Sequence, residues 1–372
     1  MFPWLAHGHI FPYLELAKRL LNRKNFHIHL CTTAVNFPSI QDFILKNSLQ
    51  HSIDLVQLHL QPSPELPPNH HTTKNLPSNL IPSLLKLLQT SEPNFSDIVS
   101  TLNPDLVIYD VFQPWAARIA SSKSIPAVHF LPLRTATTSY VYHHHSTEQN
   151  FPFPELHLSD HAKERMDSFV EFLKDNIFFE GRNSFINFEL SSGVVLLKTC
   201  RALEEKYIDY LSGAFRKKLP AVGPLAAWRF CGGSTCFPSK EEIAEIARGL
   251  EACRASFVWV VRFPLRRPFR KGSSGKGVGH GMPMKLNMFV DVKMMVDAGV
   301  YVEVERKGNS EGYKGDKIAN AINEVIVEKT GERMRGKALE LSEKMRVEEE
   351  VEMDATSELL WELCLQAKVQ KE

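Results

Sequence analysis

The sequence predicts an α/β protein with a parallel, doubly wound sheet, and three observations support that prediction. Strand and helix signals alternate through the first two hundred residues, as they do when crossover helices connect parallel strands. An apolar segment passes through a Gly-His turn, Gly8-His9, into an amphipathic helix. Asp110 follows a short apolar strand. Because open α/β folds bind ligands beyond the carboxyl ends of their strands, we expect His9 at a functional edge of the sheet.

The first helix is predicted from about residue 10 to residue 21, because Leu14, Ala17 and Leu20 fall on one face. Pro12 suits the first turn of such a helix, where its missing N–H would not be used. His9 is the candidate catalytic base. His7 is the alternative, since two residues of strand spacing would point both side chains to the same side.

The later elements follow from the same patterns. Strands are predicted at 26–32, 53–60, 105–109, 125–131 and 191–198, and helices at 82–88, 95–102 and from 115. The proline-rich segment 61–79 is predicted to be a long loop. A strand at 219–225 marks the end of a first domain, 1–225.

A second domain is predicted over 226–346, with a helix at 240–252 and a strand at 256–262. The pattern is lost at 264–281, and a regular apolar pattern returns at 300–304 before two helices over 317–346. The last segment, 347–372, begins with a charged run at 348–352 that we expect to be solvated. An amphipathic helix that contains Leu359, Leu360 and Leu363 is predicted after it.

Composition excludes several classes of function. The formal net charge of +1 gives no electrostatic footprint for nucleic acid or an anionic membrane. No apolar run approaches the length of a membrane span, and the N-terminus lacks the pattern of a signal peptide. Six cysteines without paired spacing predict reduced thiols, so we expect a cytoplasmic protein. We also expect the protein to be a monomer.

A metal site is not expected from the histidines. His143, His144 and His145 are adjacent, but neighbouring side chains on one element point in different directions and lack a supporting carboxylate.

Several blocks of sequence resemble, in order, the plant family of UDP-sugar-dependent glycosyltransferases, in the branch that extends sugar chains on glycosylated small molecules. The blocks are PWLAHGHI (3–10), LELAKRLL (14–21), PDLVIYDVFQPWA (104–116), LLKTCRALEEKYIDYL (196–211), SKEEIAEIARGLE (239–251) and VEKTGERMRGKALELSEKMR (327–346). Independent blocks in family order are more specific than any single motif.

The resemblance implies a GT-B-like fold of two Rossmann-like domains and the activity of an inverting O-glycosyltransferase. It implies a UDP-sugar as donor, a small-molecule glycoside of flavonoid or terpenoid type as acceptor, and no metal or other cofactor. By position in the matching blocks, His9 is the base and Asp110 its carboxylate partner. A base is needed because a hydroxyl is a poor nucleophile near pH 7.

The resemblance weakens where the family holds its nucleotide-sugar. Most of that donor box is expected between 264 and 281, where this chain has a basic, glycine-rich stretch without the spacing of a phosphate-binding loop. Asn287-Met288 stands in place of the family's closing Asp-Gln pair. Gly233 and Ser234 are the donor-binding residues that still match. We therefore expect an incomplete second domain, and the alternative function is an impaired remnant that at most binds the acceptor.

Overall fold

The computed structural model describes residues 1–61, 63–74, 76–147, 149–154, 156, 167–168, 171, 185–223, 240–253, 293–304 and 314–371. The chain divides into two compact units. The first contains residues 1–151, 168–229 and 344–372, and the second contains residues 152–167 and 230–343.

Helices and strands alternate in the first unit. Its elements are α1 (His7–Leu21), β1 (Ile28–Thr32), α2 (Phe37–Lys46), β2 (Ile53–Gln57), α3 (Ile81–Gln89), α4 (Glu92–Leu102), β3 (Val107–Tyr109), α5 (Pro114–Ser122), β4 (Ala127–Leu131), α6 (Thr135–Ser146), α7 (Ile186–Leu190), β5 (Val195–Leu197) and α8 (Arg201–Phe215). The loop predicted over 61–79 contains only short 3₁₀ turns in its described part.

Every strand pairing is parallel among the residues that the structure describes. β1 pairs with β2, and β4 lies between β3 and β5. The first residues of the chain lie between these two groups of strands. The Phe2 N–H donates to the Ile108 carbonyl at 2.8 Å, and the Cys31 N–H donates to the Met1 carbonyl at 2.9 Å. The predicted parallel α/β architecture is confirmed.

The core of the first unit is formed by one face of α1 and the buried strands. Ile10, Tyr13 and Leu14 of α1 are fully buried, and Val128 and Leu196 of β4 and β5 belong to the same cluster. Apolar side chains of this kind stabilise a fold by about 1.5–3 kcal/mol each when they leave water. The core therefore anchors α1, and with it His9.

The longest helix, α11 (Lys329–Lys371), contributes its C-terminal part to this core. Met353 and Leu360 are fully buried in the same cluster as α1. Two ion pairs flank that contact, Arg23 to Asp354 at 2.6 Å and Lys24 to Glu358 at 2.5 Å. Because these carboxylates are exposed, the pairs add little to the apolar contact.

In the second unit, α9 (Lys240–Ala252) packs against α10 (Gly315–Ile326). The Glu245 carboxylate accepts a hydrogen bond of 2.8 Å from the Gly315 N–H. A Cβ added to Gly249 would lie 2.6 Å from the Ile318 Cβ, so the close approach of these two helices requires glycine there. The bounds predicted for α9 are confirmed. The predicted strand at 256–262 and the stretch 264–281 lie outside the described residues.

The predicted start of the first helix is wrong. α1 begins at His7, because the Ala6 carbonyl already accepts the N–H groups of His9 and Ile10, each at 2.9 Å. Pro12 therefore lies inside the helix and not in its first turn. Its missing N–H leaves the Gly8 carbonyl without a helical partner, and Gly8 is exposed to water, which can satisfy that carbonyl.

Two other expectations also fail. The charged run 348–352 does not separate two helices, because α11 continues through it: glutamate favours helix, and no glycine or proline occurs after Gly336. The strand predicted at 219–225 is reduced in its described part, 219–223, to one isolated bridge between Leu197 and Ala221.

No helix within the described ranges combines the length and the apolar character needed to cross a bilayer.

The packing of α11 predicts the effect of shortening one leucine. Leu360→Ala should lower the free energy of unfolding of the first unit by about 2–5 kcal/mol, because the cavity replaces fully buried contacts. Leu365→Ala is the matched control, since Leu365 lies on the same helix and is 48% exposed. Urea unfolding followed by circular dichroism measures both. Equal destabilisation by the two variants would contradict the docking of α11 on this core.

Candidate active site

The side chains of His9 and Asp110 lie next to each other although they belong to different parts of the fold. Asp110 directly follows β3, at the carboxyl end of the strand, and its side chain is fully buried. His9 lies in the first turn of α1, whose apolar face is fixed in the core. The two residues are 101 positions apart in the chain, and their side chains are in hydrogen-bond contact.

The Asp110 carboxylate is held by the backbone around it. One oxygen, Oδ2, accepts a hydrogen bond of 3.2 Å from the Trp4 N–H, and Oδ1 accepts one of 2.7 Å from the Val111 N–H. The His9 Nδ1 lies 2.9 Å from Oδ2 and 3.1 Å from Oδ1. A buried carboxylate without such donors would be costly, and three donors satisfy this one.

The contact with Asp110 selects one tautomer of the His9 ring. A carboxylate only accepts hydrogen bonds, so the ring nitrogen that faces it, Nδ1, carries the proton. In the neutral ring, Nε2 is then an unprotonated acceptor. Nε2 has no hydrogen-bond partner among the described residues, and the side chain is 12% exposed. The ring also lies beside Phe112, with 5.5 Å between ring centroids. This arrangement can accept a proton at Nε2.

His7, the alternative base, is placed differently. Both histidines lie in α1 rather than on a strand, so two residues of spacing turn their side chains about 200° apart. The expectation that they share a side is therefore wrong. His7 packs edge-on against Phe11 at 5.4 Å, and partial burial, together with the charge of Lys74, lowers its pKa.

Asn187 and His129 stabilise the end of β3, and the sequence patterns single out neither residue. The Asn187 amide of α7 donates a hydrogen bond of 2.9 Å to the Val111 carbonyl, and the Tyr109 hydroxyl donates one of 3.1 Å to the Asn187 carbonyl. His129, opposite Tyr109 in β4, has its Nδ1 3.3 Å from the Tyr109 carbonyl. These bonds fix the backbone on both sides of Asp110.

Burial keeps the neighbours of Asp110 uncharged. It lowers the pKa of His129 to about 4, so this ring is neutral near pH 7 and does not compete with His9 for the carboxylate. Burial, with the charge of Asp110 as a smaller cause, raises the pKa of Tyr13 well above its usual range. His9 is the side chain that hydrogen-bonds the Asp110 carboxylate in the described part of the chain.

The other predicted site residues are not tested by this geometry. Gly233, Ser234, Asn287 and Met288 lie outside the described residues. Of the three adjacent histidines, His143 bonds the Tyr210 hydroxyl and the Gln149 carbonyl, each at 2.8 Å, and His144 packs on the Tyr140 ring. Both nitrogens of His143 are thus in use within the fold.

Comparison with known proteins identifies the family of this chain. Residues 1–227 match the family model described as the N-terminal domain of glycosyltransferases. UDP-glucosyltransferase 29 of Panax ginseng is 36% identical, with 99% of this chain and 97% of that protein covered. The flavanone 7-O-glucoside 2''-O-beta-L-rhamnosyltransferase of Citrus maxima is 32% identical, with 98% and 96% covered.

Solved structures give the fold. The glycosyltransferase UGT73P12 of Glycyrrhiza uralensis, solved with glycyrrhetinic acid 3-O-monoglucuronide, is similar with a TM-score of 0.71 at 18% identity, over 100% of this chain and 96% of that one. UGT89C1 of Arabidopsis thaliana, solved with UDP, has a TM-score of 0.68 at 17% identity, over 98% of each chain. The protein is thus an α/β transferase of the GT-B class. It belongs to the plant UDP-glycosyltransferase family.

Proposed function

We propose that this chain transfers a sugar from a UDP-sugar to a hydroxyl group of a small-molecule glycoside, with inversion at the anomeric carbon. The observation that carries the proposal is the His9–Asp110 pair, in which Nδ1 is bound by a buried carboxylate and Nε2 is left to accept a proton. Family membership supports the donor class, and the metal-free base chemistry requires no further cofactor.

The proposed reaction is a single displacement. The acceptor hydroxyl gives its proton to His9 Nε2 as its oxygen attacks the anomeric carbon, and UDP leaves with the electrons of the broken bond. The positive charge that forms on the imidazole is stabilised by the Asp110 carboxylate, which stays ionised throughout. The backbone donors on Asp110 keep it in place, so the pair needs no rearrangement during the step.

The names of relatives support a glycosylated acceptor. Relatives of 31–33% identity include a beta-D-glucosyl crocetin beta-1,6-glucosyltransferase of Gardenia jasminoides and a cyanidin-3-O-glucoside 2-O-glucuronosyltransferase of Bellis perennis. Each name specifies an acceptor that already carries a sugar. We infer that the attacking hydroxyl belongs to such a sugar, on a flavonoid or terpenoid core.

A second candidate is an impaired chain that binds the acceptor but turns over little. The stretch 264–281 lacks the donor-box residues that the family resemblance leads us to expect. The alignment with the Panax ginseng relative extends over 441 positions, whereas this chain has 372 residues. At the remaining aligned positions the relative has residues and this chain has gaps. Loss of donor contacts would remove the binding energy that positions the reacting carbon.

We also propose that the protein works as a monomer in the cytosol. Cys31, Cys200, Cys253 and Cys364 form no disulfide in the described residues. Burial raises the pKa of both the Cys31 and the Cys200 thiol to about 12, which keeps them protonated and unreactive. These properties suit a reducing compartment.

Donor binding separates the two candidates. Calorimetric titration of the full chain with UDP and with UDP-glucose should give a dissociation constant of about 1 μM to 1 mM if the donor site works. His7→Ala is the control, because His7 lies outside the His9–Asp110 pair and this change should leave the affinity for UDP unchanged. No UDP binding by a chain whose circular dichroism shows it folded would contradict the transferase and favour the impaired remnant.

The role of His9 is tested by turnover. His9→Ala should lower the rate of product formation from UDP-glucose and flavonoid or triterpenoid glucosides by about 100- to 10,000-fold, because a general base is lost. His7→Ala is the matched control and should keep a rate close to that of the unaltered chain. Products are measured by liquid chromatography with mass spectrometry. A large loss in His7→Ala with little loss in His9→Ala would assign the base to His7.

A further inference from the structure

A group of potential metal ligands lies at the amino ends of β1 and β2. His27 immediately precedes β1, His29 is its second residue, and Asp54 is the second residue of β2. In the parallel register His29 lies directly opposite Asp54. The His27 Nε2 is 2.7 Å from the Asp54 Oδ2, and the His29 Nδ1 is 3.7 Å from that same oxygen. One ligand atom from each of the three residues lies within 4.8 Å of the others.

The backbone explains why these side chains converge. His27 and His29 are two residues apart on an extended segment, so both point to one side, and their ring centroids are 5.1 Å apart. Asp54 joins them from the neighbouring strand, whose register with β1 is fixed over five residue pairs. The positions of the three ligands are therefore set by the sheet, which reduces the ordering needed to bind an ion.

We propose that His27, His29 and Asp54 form a binding site for a divalent transition-metal ion of the zinc class. Two imidazoles and one carboxylate are a common ligand set for such ions, and three protein ligands leave a coordination position for water. The side chains are 32–56% exposed, which leaves a path for the ion.

Metal binding replaces an existing contact. Without metal, a proton on His27 Nε2 bridges to the Asp54 carboxylate at 2.7 Å. A bound ion takes the position of that proton, which moves to Nδ1 or is released to solvent. The ion then lies between the Asp54 carboxylate and the His27 ring, and it connects β2 with the start of β1.

The site is distinct from the proposed active site. His9 and Asp110 lie at the carboxyl end of β3, whereas these ligands lie where β1 and β2 begin. Since the strands are parallel, the two sites are at opposite edges of the strands. We therefore expect the metal to stabilise the first unit rather than take part in sugar transfer.

The test is calorimetric titration of the full chain, without an affinity tag, with zinc chloride. We expect one saturable site. Asp54→Asn and His29→Asn should each weaken binding at least about tenfold, since even loss of an outer-shell partner costs about 10- to 100-fold. Asp54→Asn keeps the shape of an exposed side chain, so it should not disturb folding. His59→Gln is the control, an exposed histidine beyond the far end of β2, and should bind like the unaltered chain.

Two further measurements test the proposed metal site. Zinc should raise the melting temperature of the unaltered chain but not that of Asp54→Asn, as expected when an ion binds only the folded state. Cobalt in place of zinc should show no cobalt–thiolate charge-transfer band, because no cysteine belongs to the site. Absence of a saturable zinc site, equal affinity in all variants, or a thiolate band would overturn the proposal.

Discussion

Much of the first unit is arranged around one buried negative charge, the Asp110 carboxylate. A carboxylate in this position would oppose folding if its oxygens lacked donors. Trp4 supplies one N–H from the start of the chain, Val111 supplies another from the loop after β3, and His9 supplies its Nδ1 proton from α1. Three segments must therefore be correctly placed before the charge is satisfied, and each is placed by the sheet and core.

That requirement links stability to chemistry. The hydrogen-bond donors that offset the desolvation of the Asp110 carboxylate also orient it. The same contacts therefore fix the His9 ring in the tautomer that a base needs. Neighbours that could disturb the charge balance are kept neutral by burial, most clearly His129, whose pKa falls to about 4. The C-terminal part of α11 contributes to the same core through Met353 and Leu360, so the position of α1 depends on residues more than 300 positions away in the chain.

The sequence predicted most of this unit because its elements have clear apolar patterns. The strands could be expected from these patterns, and the pairing of His9 with Asp110 was implied by the resemblance of their sequence blocks to the family. The roles of Asn187 and His129 could not be predicted. Their hydrogen bonds to backbone carbonyls depend on the tertiary structure, and no spacing in the sequence indicates them. The start of α1 differs from the prediction because proline is not confined to the first turn of a helix. Pro12 is tolerated inside α1, since the carbonyl group that it leaves without a partner is exposed to water.

The proposed chemistry depends on Asp110, which holds the proton on Nδ1 of His9 and leaves Nε2 free. The most direct measurement is a long-range proton–nitrogen correlation spectrum of the ¹⁵N-labelled chain near neutral pH, with the His9 signal assigned by its absence in His9→Gln. We expect that the neutral form of the ring shows the pattern of protonation at Nδ1. A ring protonated at Nε2 would contradict this expectation, because that nitrogen could not then take a proton from an acceptor hydroxyl.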